Sequence, residues 1–191
     1  MGHSVIRSNH YEAAFEAFLR DREVGFVAVD EAKRSTLGDE VVKSLDFIIV
    51  GPDTSRLVVD VKGRKFPGGS ADAPRKVWQN WADAADVSGL VKWATHFGPD
   101  FRGVLAFVYQ IVPPFTLPDD TPDQFVFRGR RYLMRAIPAL DYRERMRRRS
   151  PRWGTVHLAT ADFRDLVRPF TEMLEPHETV GAVDYELPSE L

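Results

Sequence analysis

Two short apolar segments, residues 45–50 and 57–63, are separated only by the sequence GPDTSR. Both segments are rich in aliphatic and β-branched side chains, and the Gly, Pro and Asp between them are typical turn residues, so the pattern predicts a β-hairpin. Parallel strands would need a connection of about a dozen residues or more, so these two strands pair in the antiparallel sense. Any sheet that contains them therefore cannot be entirely parallel.

Three charged residues interrupt this predicted hairpin: Asp46, Asp60 and Lys62. Side chains alternate along a strand, so Asp60 and Lys62 lie on one face. If residues 52–54 form the turn, Asp46 lies opposite Asp60, and a register shifted by two places it opposite Lys62. All three charges share a face in both cases, whereas a shift by one residue would put Asp46 on the other face.

Opposed carboxylates are unfavourable in a sheet, which makes this pattern informative about chemistry. Two carboxylates about 4 Å apart repel by roughly 4 kcal/mol at an effective dielectric constant near 20. Lys62 offsets part of this repulsion and a divalent cation would offset more, and carboxylate oxygens favour Mg²⁺ or Mn²⁺ over zinc. The pattern therefore predicts a metal site with Asp46 and Asp60 as ligands, and structural ion pairing is the alternative interpretation.

A third carboxylate can come from the first predicted helix, residues 9–22. Glu12 lies three residues after Asn9, the spacing of a capping box, and this role accounts for it. Glu16 lies beside the apolar stripe of the helix without such an explanation, so we favour Glu16 as the third metal ligand. A second acid-x-lysine sequence at residues 31–33 follows the first predicted strand and is interpreted as a loop.

Hydrophobic periodicity and turn residues predict a helix, three strands, a second helix and a fourth strand, followed by an elaborated C-terminal part. After the first helix come a strand at 25–30, a loop at 32–43, the hairpin, a loop at 65–76, a helix at 83–97 and a strand at 103–112. The C-terminal part comprises an irregular segment at 113–122, a hairpin about 128–129, a helix at 139–149, a short strand at 155–159 and a last helix from Thr160 that Pro169 kinks or splits. This order predicts an α/β fold with a mixed sheet.

Length and charge divide the chain further. Its 191 residues suit one domain, and we expect that domain at 1–174, with an insertion and Arg-rich region at 113–152, and an acidic tail at 175–191. The net charge of −2 hides an uneven distribution, because ten arginines and only two acids lie between positions 128 and 152. The absence of Cys excludes disulfides, thiolate metal sites and a Cys nucleophile.

The arginine-rich region predicts a nucleic-acid partner, because clustered guanidinium groups contact phosphates. A solvated helix face is the alternative interpretation for positions 143–152. Three tryptophans, Trp78, Trp81 and Trp93, are more typical of packing than of base stacking. The candidate phosphate contacts are Arg128, Arg130, Arg131, Arg147, Arg148, Arg149 and Arg152.

Nothing in the sequence indicates a membrane partner. The chain has no apolar run near the roughly 18 residues of a membrane helix, and its N-terminus lacks the apolar core of a secretory signal. We therefore expect a soluble, cytoplasmic protein.

The motif at residues 10–16, HYEAAFE, resembles the name-giving motif of the bacterial HYExAFE family. An acidic helix, an Asp in one strand and Asp-x-Lys in the next are also similar to the PD-(D/E)XK nuclease superfamily, and the resemblance extends to about residue 174. The resemblance implies a restriction-endonuclease-like αβββαβ core. It also implies that Glu16 assists the metal, that Asp46 and Asp60 bind it, and that Lys62 positions or activates the attacking water. One departure is that Leu45 stands where the superfamily often has Pro.

The function implied by this resemblance is metal-dependent hydrolysis of phosphodiester bonds in DNA or RNA, with Mg²⁺ or Mn²⁺ as cofactor. The alternative is a catalytically inactive module on the same fold that binds nucleic acid or protein. Presence of all four residues, Glu16, Asp46, Asp60 and Lys62, favours the nuclease.

Overall fold

The computed structural model describes residues 9–29, 35–37, 40–50, 55–70, 72–150 and 152–175. The helices are α1 (His10–Asp21), α2 (Ala84–Phe97), α3 (Ala139–Arg145), α4 (Thr160–Leu166) and a 3-10 helix (Phe170–Leu174). The strands are β1 (Gly25–Ala28), β2 (Ser35–Leu37), β3 (Glu40–Val42), β4 (Phe47–Val50), β5 (Arg56–Phe66), β6 (Gly68–Gly69), β7 (Pro74–Arg75), β8 (Ala82–Asp83), β9 (Phe101–Ile111), β10 (Gln124–Phe127), β11 (Arg130–Pro138), β12 (Arg147–Ser150), β13 (Thr155–His157) and β14 (Arg168–Pro169).

A seven-stranded mixed sheet organises these elements. Its strand order is β1-β4-β5-β9-β11-β10, and β14 pairs with β11. The central pair β5 and β9 is parallel, and its neighbours on both sides are antiparallel. α1, β1, β4, β5, α2 and β9 follow one another as the predicted αβββαβ core, so the expected fold class is confirmed.

The two long helices cover opposite faces of this sheet. α1 buries Phe15, Phe18 and Leu19 in one apolar cluster with residues such as Phe47 and Val59. α2 buries Leu90 and other residues in a second cluster, which contains the alternate residues of the same strands. Because side chains alternate along β5, neighbouring residues of this strand face different helices.

The hairpin has the register that the first turn hypothesis predicted. Phe47 pairs with Val59 and Val50 with Arg56, which brings Asp46 next to Asp60. The turn itself, residues 51–54, lies outside the described residues, as do the acid-x-lysine sequence at 31–33 and the tail from residue 176. No helix in the described ranges is long and apolar enough to cross a membrane.

Three local predictions are corrected, and a fourth, the division of the last helix at Pro169, is confirmed. The expected loop at 32–43 contains the antiparallel pair β2 and β3, and the expected loop at 65–76 contains the last residues of β5 and the short pair β6 and β7. The helix expected to reach residue 149 ends at Arg145, because residues 147–150 pair with β13 instead. The last predicted helix is divided between α4 and the 3-10 helix, because Pro169 lies in extended backbone that pairs with β11.

Candidate metal and phosphate site

The site begins where β4 and β5 separate. Asp46 lies just before β4, and its backbone N–H donates to the Val59 carbonyl at 2.9 Å. Its carboxylate Oδ2 accepts from the Val61 N–H at 2.6 Å, a group that a longer β4 would have bonded. Asp46 thus ends the β4–β5 ladder with its own side chain, and residues 60–66 continue beside β9 alone within the described chain.

Lys62 lies between two buried carboxylates on the side of the sheet that α2 covers. Its Nζ is 2.5 Å from Oδ2 of Asp60 and 2.5 Å from Oδ2 of Asp86. Asp86 also lies 3.4 Å from Nζ of Lys43. Side-chain exposure is 14% for Lys62 and only 6% and 3% for Asp60 and Asp86, so bulk water screens these charges weakly.

Asp86 is the residue of this charged group that sequence reasoning missed. It lies in the first turn of α2, in the same buried stripe as Val87, Leu90 and Ala94. A signal was present, since Asp86, Leu90 and Ala94 follow helical spacing and one acid in an apolar stripe is unusual. Only the packing of α2 on the sheet brings this acid to Lys62.

The electrostatics of the group fix the protonation state of Lys62. Burial by itself would lower the pKa of Lys62, but the carboxylates of Asp60 and Asp86 outweigh burial and raise the pKa above its ordinary value. Lys62 therefore carries its charge throughout the physiological pH range. Such a side chain donates hydrogen bonds and stabilises negative charge, and it does not act as a general base.

A cavity of about 350 Å³, the Lys62 cavity, opens beside this group. It is lined by residues of α1, β5 and α2, including Asn9, Tyr11, Lys62, Gly63, Arg64 and Asp86. Asp46 and Asp60 do not belong to its lining, and Lys62 lies between the cavity and Asp60. Tyr11 packs so closely on Gly63 that a Cβ at position 63 would lie 2.2 Å from the ring.

Arg64 adds a second cation to the Lys62 cavity. It donates to the carbonyls of Gly63 at 2.7 Å and Trp81 at 2.5 Å. Its guanidinium carbon lies 3.7 Å from the centroid of the Trp81 ring, so hydrogen bonds and a cation–π contact fix its orientation. Lys62 and Arg64, two residues apart on one strand, thus line this cavity together with the acids Asp83 and Asp86.

The two acids of α1 occupy different surroundings. The Asn9 side chain caps the Tyr11 N–H, as expected, whereas the buried Glu12 accepts from Nδ2 of Asn9 at 2.6 Å rather than from its backbone N–H. Glu16 accepts from Arg20 at 2.8 Å, one helical turn farther from the Lys62 cavity, and is absent from its lining. The assignment of Glu16 as a metal ligand stays a prediction.

The described residues offer carboxylate oxygens to a cation but no assembled set of metal ligands. Among the residues that the structure describes, no three His, Asp or Glu side chains are grouped closely enough to hold an ion. Mg²⁺ commonly keeps several waters and needs only one or two carboxylates together with substrate phosphates. Asp60, whose Oδ2 already approaches an ammonium group at 2.5 Å, supplies a carboxylate aimed at a cation position.

The predicted phosphate contacts have separate environments. Arg128, Arg130 and Arg131 surround the exposed tip of the β10–β11 hairpin, at the end of the sheet where β9 and β5 finish. This end also carries the start of α1, because His10 Nδ1 lies 2.9 Å from the Tyr132 hydroxyl. Burial lowers the pKa of His10, and the nearby charges of Arg130 and Lys65 lower it further.

The arginines of β12 and the following turn also differ from one another. Arg147 lies 3.5 Å from Asp162, whereas Arg148 is exposed. Arg149 lies over the Trp81 ring at 5.1 Å, and Arg152 is 5.7 Å from the exposed Trp153 ring. Their role in binding phosphates stays a prediction.

The sheet order, the helices on its two faces and the separating strands define a restriction-endonuclease-like α/β fold. The structure is similar to that of Hjc, a Holliday junction resolvase from the archaeal hyperthermophile Archaeoglobus fulgidus. The TM-score is 0.50 and the sequence identity 13%, over 86% of this chain and 96% of the resolvase chain. No protein-family model and no curated protein matches the sequence.

Proposed function

We propose that this protein is a metal-dependent nuclease that hydrolyses phosphodiester bonds in DNA or RNA. The observation that carries the proposal is the position of Lys62, held between Asp60 and Asp86 at a cavity where two strands of a nuclease-type sheet separate. A buried lysine between two acids, in a cleft, is typical of functional sites as well as of structural ion pairs. Because the fold is similar to that of a nuclease, we favour a functional site over a structural ion pair.

The proposal includes a set of metal ligands. Asp46 and Asp60 would hold Mg²⁺ or Mn²⁺, with Glu16 as the third candidate. The bound ion would lower the pKa of a water and neutralise charge on the phosphate oxygens. Asp46 is held for this task by its bond from the Val61 N–H, which fixes its carboxylate where β4 ends.

Lys62 acts as a charged hydrogen-bond donor in this mechanism. Its raised pKa keeps the ammonium protonated, so it can orient the attacking water and stabilise the oxygens of the pentacovalent transition state. Asp86 would remain as a carboxylate partner of Lys62 when Asp60 binds the metal ion. Arg64, on the same face of β5, can contact a neighbouring phosphate.

The proposal extends to classification and boundaries. The HYEAAFE motif supports membership of the HYExAFE family, and its residues build the start of α1 beside the Lys62 cavity. We place the nuclease-like domain at 1–174, with the insertion and Arg-rich region at 113–152 and the acidic tail at 175–191. Within the described chain, α4 and the 3-10 helix pack their apolar residues into the two main clusters, in agreement with one domain.

A second candidate function is a binding module without catalysis. Lys62 is already neutralised by two acids, and no three-ligand group is assembled in the described ranges. A protein that keeps this ion-pair group for stability alone would bind nucleic acid through its arginines and cleave nothing.

Cleavage assays separate the two candidates. Supercoiled plasmid and single-stranded RNA are incubated with the protein and Mg²⁺ or Mn²⁺, and with EDTA as the metal-free control. We expect nicking that needs the metal and disappears in Asp60→Asn. Asp165→Asn is the matched control, because Asp165 is an exposed acid of α4 that pairs with Arg145.

A charge-balanced variant keeps the test valid if single substitutions disturb folding. Lys62→Met/Asp86→Asn removes one cation and one anion together, so the net charge is unchanged and Asp60 no longer faces a second carboxylate. This variant should fold, as judged by circular dichroism, and should not cleave. Metal-dependent cleavage that persists in both this variant and Asp60→Asn would contradict the proposed nuclease.

A further inference from the structure

A second cavity of about 480 Å³, the Trp78 cavity, adjoins the proposed catalytic site. Trp81 lines both cavities and so forms the wall between them. Pockets for small organic groups commonly measure about 300–1,000 Å³, so the space is sufficient for a nucleotide unit. We propose that the Trp78 cavity binds one segment of a single-stranded nucleic acid whose backbone continues into the Lys62 cavity, an inference that rests on the proposed nuclease function.

Charge is the first observation behind this inference. Three cations, Lys76, Arg149 and Arg164, line the Trp78 cavity, and no Asp or Glu does. Within the described residues none of the three forms an ion pair, whereas the nearby Arg145 and Arg147 are paired with acids of α4. The cavity therefore presents positive charge that its own walls do not neutralise, which suits a phosphate backbone.

A β-bulge aims one of these cations. Arg148 pairs with Val156 and Ser150 with Thr155, which leaves Arg149 as the extra residue of β12. A bulge turns its side chain out of the normal alternation, and here the Arg149 guanidinium comes to lie 5.1 Å from the centroid of Trp81. Arg149 thus stands at the boundary of the two cavities, where a strand passing between them would place a phosphate.

The aromatic wall is rigid before any ligand arrives. The Trp78 ring stacks on Phe66 with 3.6 Å between centroids and planes 5° apart. Bases of single-stranded nucleic acids bind on such aromatic walls without sequence preference, whereas bases within a duplex are stacked on one another and unavailable. Because only unpaired bases can stack on the Trp78 ring, we propose a single strand rather than a duplex as the ligand of this cavity.

The segment that carries both tryptophans is fixed although it has no strand partner over residues 76–81. The carbonyl of Gln79 accepts from the Tyr109 hydroxyl at 2.9 Å, and that of Asn80 accepts from the Tyr142 hydroxyl at 2.8 Å. The Asn80 side chain bonds both the N–H and the carbonyl of Leu158. Hydrogen bonds from buried side chains thus hold this segment in place. A wall that is formed before the ligand binds lowers the entropy cost of binding.

Binding of a fluorescein-labelled oligothymidine about ten nucleotides long, a length within the site sizes of single-strand binders, tests the inference. Anisotropy is measured in EDTA, so that no cleavage occurs, for the full chain and for Arg149→Ala and Arg164→Ala. Arg145→Ala is the control, because it makes the same change in net charge outside the cavity. We expect Kd to rise about five- to tenfold in each cavity variant and less than about twofold in the control.

The salt dependence supplies a second readout. Loss of one phosphate contact lowers the slope of log Kd against log salt by about one, and we expect this for Arg149→Ala but not for Arg145→Ala. Equal losses in all three arginine variants would overturn the inference, since net charge alone would then explain binding. So would equal binding of a duplex of the same length, or equal competition by poly-glutamate.

The outcome separates this inference from the proposed catalysis. Arginine-dependent binding in EDTA without any cleavage in Mg²⁺ or Mn²⁺ would refute the nuclease and leave a single-strand binding cavity. Cleavage that is unaffected by Arg149→Ala and Arg164→Ala, together with unchanged binding, would refute the cavity and leave the nuclease.

Discussion

Replacing Lys62 by Met tests whether this residue is the counter-ion of the buried acids. The substitution keeps a long, flexible side chain but removes the charge between Asp60 and Asp86. Each of the two carboxylate oxygens lies 2.5 Å from Nζ, so they are no more than twice that distance, 5.0 Å, apart. Without the ammonium group their repulsion amounts to about 3 kcal/mol at an effective dielectric constant near 20.

The expected loss of stability is therefore large. Breaking a buried ion pair by removing one partner commonly costs about 3–5 kcal/mol, which agrees with the repulsion worked out from the distances. A domain of this size has a free energy of unfolding of about 5–15 kcal/mol, so Lys62→Met should remain folded but unfold at much lower urea. Urea titrations followed by circular dichroism, with unchanged m-values, measure the difference.

A double-mutant cycle makes the prediction specific to this contact. Adding Asp86→Asn to Lys62→Met removes the repulsion, so the double variant should recover about 3 kcal/mol relative to Lys62→Met alone. Lys92→Met, an exposed position of α2, should change the free energy of unfolding by less than about 1 kcal/mol. If Lys62→Met costs no more than this control, or if Asp86→Asn only adds to its cost, the counter-ion argument fails.

Two further predictions follow from the same geometry. Gly63→Ala should lower the free energy of unfolding by about 1–3 kcal/mol, because its Cβ would lie 2.2 Å from the Tyr11 ring and force α1 to shift; an unchanged urea midpoint would contradict the close packing. The stability difference between the wild-type protein and Lys62→Met should be constant at neutral pH. It should shrink above about pH 10.4, the ordinary pKa of Lys, by about 1.4 kcal/mol per pH unit, because the folded protein with its raised pKa then holds a proton that the unfolded chain has released. A difference that instead grows in alkaline urea titrations would reverse the sign of this linkage.

The hairpin and its charges were predictable because their information is local. Alternation within 45–50 and 57–63, together with a short connection, leaves few registers, and the observed pairing of Phe47 with Val59 is one of the two even registers anticipated. The same local reasoning failed for β12. The arginines after α3 continued the helical pattern of the sequence. In the structure they pair with β13, and local propensity cannot predict a contact with residues farther along the chain.

Asp86 shows why the site could be predicted only in part. Asp60 and Lys62 are two residues apart on one strand, so their contact follows from strand geometry. Asp86 reaches Lys62 from α2, 24 positions later, and that contact exists only after the helix has packed on the sheet. Glu16 was made a candidate by exclusion on its helix; it contacts Arg20 one turn away, and its role as a metal ligand stays a prediction.

Asp86 contacts two lysines, Lys62 and Lys43, and the difference between them suggests how Asp60 could bind a metal ion while Lys62 stays paired. Lys62 is mostly buried, whereas the Lys43 side chain is 54% exposed and lies 3.4 Å from the same acid. Lys43 is the more solvated of the two lysines, so water screens its contact with Asp86 more than it screens the contact of Lys62. On the proposed function, Asp86 would keep the buried ammonium group of Lys62 paired while the carboxylate of Asp60 binds a divalent cation. The second acid on α2 would therefore let the group exchange partners, whereas a group that only stabilises the fold would keep both contacts of Lys62 whether or not metal is present.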